Sequence, residues 1–367
     1  MHFIESLLKI FFITIFVSLV IDFFFGKFIL NSLDGFFSKT QFYERLIRIE
    51  HPVYHHTLKP NIDYTNNTSF TGTYRLCTNN HGFKSKCGII DDKEYDLAFM
   101  GDSFVEGTPV EFENTFVGLF ENKSNFSVAN LGIVSYSPKI YLSKLKFLLD
   151  EKFFFEHVIV FVDISDFYDD SNFYSINKKL IVSEKFAKEK NLKIRKILRK
   201  NFPLTNFYTF VLKKIKLKEE KIKQVNKNQS PKFLPRTQMK AIWTFSKNDQ
   251  LKNYTMSIAD GHKQMFEIMT QLYNLLNEKG IDMSVAIYPW PQQLQNDSVN
   301  SIHVKYWENF CKNKCKNFIN FFPVFFNEMG ETSFLNVYKK YYFWNDVHFN
   351  KKGHQLIADY LIKQFNF

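Results

Sequence analysis

Short apolar runs recur in the middle and the last part of the chain, and each ends at a glycine, an aspartate or a proline. Four runs have the length and the residue content expected of buried strands: residues 97–100, 126–131, 157–162 and 283–288. Segments with helical spacing of apolar residues begin at Pro138 and at Lys352. Strands that alternate with helices predict an α/β fold, with a parallel sheet and helices on both faces.

The longest apolar stretch lies near the N-terminus, over residues 7–30. A helix needs about 20 apolar residues to cross a hydrocarbon core of roughly 30 Å, and this stretch reaches that length if Lys9 and Asp22 lie near the two interfaces. We therefore expect a membrane anchor over residues 1–35. A cleaved signal peptide and a buried helix of a soluble domain are the alternatives, although no small-x-small cleavage site follows the run.

The remaining chain divides into a membrane-proximal region and a main domain. Residues 36–94 are rich in turn formers and are expected to be irregular, with loops and hairpins. Residues 95–367 contain the predicted strands and helices. A basic helical insert is expected at about 175–235, as a lid or arm. Its charges either form a solvated face or bind anionic lipid or acidic polysaccharide.

The chain of 367 residues has a formal net charge of +11, and the excess of lysine and arginine is concentrated in the insert. A basic balance is compatible with nucleic acid, with an anionic membrane surface or with an acidic polymer. The sequence has no zinc-finger spacing, no RNA-binding aromatic signature and no basic leucine zipper. A nucleic-acid partner is therefore not expected.

Four cysteines form two local pairs, Cys77 with Cys87 and Cys311 with Cys315. In an oxidising compartment each pair could close a short loop, and otherwise the four remain thiols; the sequence leaves both states open. Neither pair has the two-residue spacing of common zinc sites, so no metal is expected.

Three polar segments at predicted element ends could together form a nucleophilic site. Ser103 follows Gly101 and Asp102 directly after the first strand, at a helix start where free N–H groups favour an anion. A serine hydroxyl needs a base, which His348 supplies, with Asp346 two residues before it to orient the imidazole. Gly132, after the second strand, could offer its N–H to an oxyanion. Because ligand sites in parallel sheets lie at the carboxyl ends of the strands, these segments are expected to meet there.

This ordered set of segments resembles the SGNH hydrolase superfamily, the GDSL-like esterases, over roughly residues 95–170 and 280–367. The resemblance implies a flavodoxin-like three-layer fold that uses neither a cofactor nor a metal. It also implies that Ser103 is the nucleophile and that Asp346 and His348 are its partners. The N–H groups of Ser103 and Gly132 are then the expected oxyanion donors.

Two departures from the family pattern bear on the chemistry. The third block of the family carries an asparagine whose side chain is an oxyanion donor; Ser165 stands at that position here, and its hydroxyl could donate instead. The aspartate commonly stands three residues before the histidine, whereas Asp346 stands two residues before His348. That separation resembles the members that acetylate extracellular polysaccharides, such as the alginate O-acetyltransferases.

The sequence therefore predicts an esterase or O-acyltransferase that acts on acyl esters, with acetyl esters expected first, through an acyl-enzyme on Ser103. Cell-surface carbohydrate is the expected substrate, and Asp102, Tyr288 and Trp290 are candidate substrate-binding residues. The resemblance also implies that the main domain lies outside the cytoplasm on a single membrane span. The alternatives are a catalytically degenerate SGNH-fold binding or assembly protein, and a basic membrane-surface adaptor. The sequence does not separate hydrolysis from acyl transfer.

Overall fold

The structure is a computed structural model. It describes residues 2–32, 47–68, 72–185, 201–205, 208, 212, 231, 233, 235–248, 251 and 254–365. Most of the predicted basic insert lies outside the described residues, and so do residues 33–46 of the predicted membrane-proximal region. The chain forms two compact units. One comprises Met1–Leu46 and Phe186–Gln229, and the other comprises Ile47–Lys185 and Ser230–Phe367.

The first unit contains the long helix α1, which spans His2–Ser32. Its segment Lys9–Gly26 is long and apolar enough to cross a membrane, and large apolar side chains such as Phe16 and Phe24 are exposed along it. Eighteen helical residues rise about 27 Å, close to the thickness of a hydrocarbon core. The helix is therefore a candidate membrane span.

Asp22 is the one acidic residue in that apolar segment, and it is buried. Its two carboxylate oxygens accept the backbone N–H groups of Leu204 and Thr205, at 2.8 and 2.7 Å. Gly26 allows the approach, because a Cβ there would lie 2.8 Å from Pro203. The charge of Asp22 is thus matched by two backbone donors within the first unit, which offsets the cost of its burial.

The second unit is built on a five-stranded parallel sheet in the order β11–β10–β7–β5–β6. These strands span Glu94–Met100 (β5), Val128–Asn130 (β6), Phe154–Phe161 (β7), Asp282–Ile287 (β10) and Phe318–Asn320 (β11). Four of them confirm the predicted strands. The fifth, β11, was not predicted from the sequence. The chain leaves β5 first toward β6 and later toward β7, so the switch point of the topology lies at the carboxyl end of β5.

Helices flank this sheet and confirm the α/β class. In chain order they are Ser103–Glu106 (α2), Phe116–Lys123 (α3), Pro138–Asp150 (α4), Asp166–Asn172 (α5), Pro235–Ala241 (α6), Ile258–Asn277 (α7), Pro291–Asn296 (α8), Ile302–Cys311 (α9), Phe322–Glu331 (α10), Phe334–Tyr341 (α11) and Lys351–Gln364 (α12). The helices expected at Pro138 and near Lys352 are α4 and α12. Pro138 occupies the first turn of α4, where its missing N–H costs nothing.

Residues 47–94 belong to the same unit as the sheet. They contain two antiparallel hairpins, formed by Arg48–His51 (β1) with His55–Leu58 (β2) and by Asp63–Thr68 (β3) with Gly72–Cys77 (β4). A third small hairpin pairs Tyr174–Ile176 (β8) with Val182–Glu184 (β9). Both cysteine pairs are disulfides, Cys77 with Cys87 and Cys311 with Cys315, and no described cysteine is free.

Candidate active site

Ser103 begins the short helix α2, immediately after β5. Asp102 caps this helix, and its carboxylate accepts the N–H of Phe104 at 2.9 Å. Gly101 permits the tight turn, because a Cβ there would lie 2.3 Å from Cγ2 of Val105. The serine hydroxyl is thereby held at the carboxyl end of β5, on the first residue of a helix.

His348 and Asp346 lie on the loop between α11 and α12, and the structure brings both to Ser103. The Nε2 atom of His348 is 2.8 Å from the Ser103 hydroxyl, and its Nδ1 atom is 2.5 Å from Asp346 Oδ1. Tyr338 fixes the loop, since its hydroxyl donates to the Asp346 carbonyl at 2.9 Å and accepts the Asp346 N–H at 3.0 Å. A continuous chain of hydrogen bonds therefore joins residues that are 245 positions apart.

The aspartate sets the electrostatics of the imidazole. Burial opposes protonation of His348, but the charge and hydrogen bond of Asp346 outweigh it, so the pKa of His348 is raised above the ordinary histidine value. Burial also opposes ionisation of Asp346, yet His348 holds the pKa of Asp346 below its ordinary value. An ionised Asp346 favours the tautomer with the proton on Nδ1, which leaves Nε2 to accept the serine proton.

A cavity of about 250 Å³ opens beside Ser103 and His348. The rest of its wall comes from loops at the strand ends, from α5, from Phe233 and α6, and from the loop before α12: Asp102, Val134, Ser135, Ser165, Asp169, Phe233, Thr237, Lys240, Trp290, Asn345, Asp346 and Val347. Lys240 in this wall pairs with Asp169 at 2.6 Å, so its positive charge is matched. The cavity is just below the volume range of sites for drug-sized ligands, and it suits a small group rather than a long chain.

The expected oxyanion donors do not all reach this cavity. Ser103 and Ser165 line it, but Gly132 does not, and the Gly132 N–H donates to Asn130 Oδ1 at 3.1 Å. Gly132 is therefore not placed to bind an oxyanion, contrary to the expectation from the sequence. Its small size serves packing instead, because a Cβ there would lie 2.5 Å from Cβ of Val105.

Ser135 occupies the wall where the glycine was expected. Its backbone has a φ of 64°, a left-handed conformation that is uncommon for residues other than glycine, asparagine and aspartate. Among the described residues its N–H has no hydrogen-bond acceptor, whereas its carbonyl accepts the hydroxyl of Tyr174 at 3.0 Å. Serine gives no sequence signal for a positive φ, which is why the pattern of residues did not reveal this position.

Tyr288 and Trp290 both bind the buried Asp163, rather than forming an exposed rim on which a sugar ring could stack. Tyr288 is fully buried and does not line the cavity, while Trp290 does. Both donate to Oδ2 of Asp163, from the tyrosine hydroxyl at 2.9 Å and from the indole Nε1 at 2.6 Å. Asp163 in turn accepts the Ser165 N–H at 2.7 Å, so this group fixes the loop after β7.

Three buried carboxyl groups, of Asp102, Asp163 and Asp166, lie close enough together to hold a metal ion. Burial and the charge of Asp163 raise the pKa of Asp102 to about 8, and the same causes raise the pKa of Asp166 well above its ordinary value. Two of the three therefore keep their protons near neutral pH. The donors around Asp163 are protein groups, and the cluster fits a hydrogen-bonded support better than a cation site.

Glu106 is a further residue near the site that the sequence analysis missed. It lies one helical turn after Ser103 on α2, and it is buried. An acidic side chain three residues after a candidate nucleophile, on the same face of the helix, was a readable signal. It does not line the cavity, but its carboxylate accepts the N–H of Val134, which does.

Comparisons with known proteins give no match to any protein-family model. No curated protein matches the chain either.

Solved structures that are similar to this chain include lipolytic proteins and esterases. A lipolytic protein of the G-D-S-L family from Desulfitobacterium hafniense is 14% identical, with 74% of this chain and 99% of that chain covered and a TM-score of 0.38. A psychrotrophic esterase from a Pseudoalteromonas species is 13% identical, with 75% and 98% covered and a TM-score of 0.36. A catalytic mutant of an acetylxylan esterase from Geobacillus stearothermophilus is 10% identical, with 76% and 96% covered and a TM-score of 0.40.

Proposed function

We propose that the chain is a serine enzyme of acyl-ester chemistry, an esterase or O-acyltransferase of the SGNH hydrolase type. The observation that carries this proposal is the hydrogen-bonded series from Asp346 through His348 to Ser103, which ends beside a cavity at the switch point of the sheet. Nucleophile, base and orienting carboxylate within direct contact are the arrangement that activates a serine hydroxyl. No metal or cofactor is needed for this chemistry.

The first half of the reaction transfers the acyl group to the enzyme. The Ser103 oxygen attacks the ester carbonyl carbon while its proton passes to Nε2 of His348. The carbonyl oxygen becomes negative and is stabilised by the N–H groups of Ser103 and Ser135, with the Ser165 hydroxyl as a third donor. Collapse of this intermediate breaks the bond to the alcohol, which takes the proton from His348, and leaves an acyl-serine.

The second half of the reaction regenerates the serine. Water or a sugar hydroxyl loses its proton to His348 and attacks the acyl carbon, and the Ser103 oxygen leaves as it regains the proton. Hydrolysis and transfer differ only in which of these two acceptors arrives. The small cavity supports a short acyl group such as acetyl. The two-residue spacing of Asp346 and His348 supports an extracellular polysaccharide as the partner, through the resemblance noted above.

Mass spectrometry after exposure to an activated acetyl ester tests the proposal. We expect one acetyl group on Ser103 of the full-length protein, and a much smaller yield of this adduct when His348 is replaced by alanine, because Ser103 then lacks its base. Ser103→Ala should abolish the adduct and reduce ester turnover by at least about a thousandfold. Ser298→Ala, which replaces an exposed serine, is the matched control and should change neither.

Persistent ester turnover in Ser103→Ala, or acetylation only at other residues, would contradict the proposal. A folded protein that is never acylated would favour the alternative, a binding or assembly protein at the membrane.

A further inference from the structure

Glu106 links three separate segments of the sheet unit through one buried carboxylate. It is the last residue of α2, and its side chain is only 1% exposed. Arg48 of β1 donates to both of its oxygens, at 2.8 and 2.5 Å. The Val134 N–H and the Thr108 hydroxyl complete the shell, at 2.8 and 2.9 Å. One side chain thus joins strand β1, the nucleophile helix and the loop that contains Ser135.

The guanidinium of Arg48 keeps the Glu106 carboxylate ionised. Burial by itself would raise the pKa of Glu106, but the charge and the hydrogen bonds of Arg48, with help from Lys84 and the Val134 N–H, lower it to about 2. Glu106 is therefore anionic throughout the neutral range. A buried anion of this kind is stable only while its partners stay in place, so it selects one position of the loop.

The same loop is fixed from its other side by carbonyl contacts. The Val134 carbonyl lies 2.8 Å from Nε2 of His56, a residue of β2, and the Ser135 carbonyl accepts the Tyr174 hydroxyl at 3.0 Å. Tyr136, the next residue of the loop, donates its hydroxyl proton to the His56 carbonyl at 2.6 Å. The polar backbone groups on both sides of the Ser135 N–H are therefore bound, while that N–H has no acceptor among the described residues.

A serine whose backbone lies in the left-handed region is stable only where several surrounding contacts hold it there. Around Ser135 these contacts come from Glu106, which is bound by Arg48 of β1, from His56 of β2 and from Tyr174 of β8. The hairpin of residues 48–58 therefore supports the cavity wall from outside the cavity.

We propose that Arg48 and Glu106 are positioning residues, which hold the Ser135 N–H in place as an oxyanion donor. Residues 48–58 are then part of the catalytic apparatus, although they lie upstream of the segment predicted to contain it. This inference rests on the proposed acyl-ester function. Arg48 and Glu106 touch neither the substrate nor the reacting atoms, and they act through the loop.

The test uses the full-length protein and compares Arg48→Ala with Arg75→Ala. Arg75 is a matched control, because it also lies in the upstream hairpins and pairs with a carboxylate, Asp63, through two hydrogen bonds. It differs in being exposed and in having its hydrogen bonds with Asp63, which is not part of the Ser135 loop. For Arg48→Ala we expect kcat on an acetyl ester to fall about 10- to 100-fold with KM within about twofold, since a displaced donor weakens binding of the transition state alone. Arg75→Ala should retain wild-type kcat.

Chemical rescue separates positioning from a general loss of structure. The Arg48 side chain is 20% exposed, so millimolar guanidinium can reach the space it leaves, and we expect it to restore part of kcat in Arg48→Ala but not in Glu106→Gln. The conservative variant Arg48→Lys keeps the charge but loses the two-point contact, and should give an intermediate kcat even if Arg48→Ala does not fold.

Two results would overturn the inference. One is a folded Arg48→Ala or Glu106→Gln with wild-type kcat. The other is an Arg48→Ala variant whose KM rises as much as its kcat falls, or an equal fall of kcat in Arg75→Ala. Either outcome would indicate a purely structural role. Acylation of the wild type at Ser103 is measured in the same experiment. Its absence would refute the proposed function, whereas normal acylation with no effect of the variants would refute only this inference.

Discussion

His348 works as a base only when it is neutral, and the groups around it decide the pH range in which that holds. Asp346 contacts Nδ1 directly, and Asp163 adds negative charge from a neighbouring strand end. Both raise the pKa of His348, against the effect of burial. A base with a raised pKa is also a stronger acceptor for the serine proton, so the site gains proton affinity at the cost of activity at low pH.

We therefore expect kcat/KM for an acetyl ester to fall as the pH drops through a pKa above the ordinary histidine value of about 6.5. In Asp346→Asn the charge is lost and burial dominates, so this acid limb should move to lower pH while the plateau falls by roughly 10³- to 10⁴-fold. Asp359→Asn, an exposed carboxylate on α12, is the control. An acid limb that stays in place in Asp346→Asn would show that another group titrates.

Individual residues differ in how far the sequence could place them. Ser103, Asp346 and His348 were predicted to meet, and they do, because strand ends and the loop before the last helix converge on one edge of the sheet. Ser135 could not be predicted, since its position depends on a left-handed backbone that hairpin contacts impose. The expectation for Gly132 failed because a glycine that is small for packing looks the same in sequence as one that offers its N–H.

Secondary-structure elements could be predicted where the periodic pattern of apolar residues extends over enough positions. The alternation of strands and helices predicted the α/β sheet, whereas the hairpins of residues 48–77 were expected only as part of an irregular region. Their strands are short and polar, as in Asp63–Thr68, and their stability comes from partners elsewhere. Lys144 of α4 is one such partner, since its buried amino group lies 5.6 Å from the ring of Tyr54, in the turn of the first hairpin.

The two disulfides act at this scale and should differ in effect. Cys77–Cys87 spans ten positions and Cys311–Cys315 spans four. If each restrains mainly the unfolded chain, removal should lower the free energy of unfolding by about 3 kcal/mol for the first and about 2 kcal/mol for the second. Denaturant unfolding of the paired Cys→Ser variants in detergent measures this. A larger loss from the shorter loop would contradict the entropic account and point to native-state packing.

At the scale of the whole molecule, two physical arguments about orientation oppose each other. The charge rule favours a cytoplasmic sheet unit, because Lys9 precedes the apolar segment while Lys27, Lys39 and Arg45 follow it. The four cysteines argue the other way, since two disulfides persist in an oxidising compartment. We give the disulfides more weight, because the difference in flanking charge is small, and we propose a single-span protein whose sheet unit is extracytoplasmic.

Site-specific labelling in intact cells decides between these orientations. Ser298→Cys adds an exposed thiol to the sheet unit, and Ser6→Cys adds one before the apolar segment of α1. We expect a membrane-impermeant maleimide to label Ser298→Cys in intact cells and Ser6→Cys only after lysis. The reverse pattern would follow if the charge rule dominated, and it would leave the disulfides unexplained. Loss of residue 6 from the mature protein would instead identify the segment as a cleaved signal peptide. Only an uncleaved helix keeps the cysteines at positions 6 and 298 on the same chain.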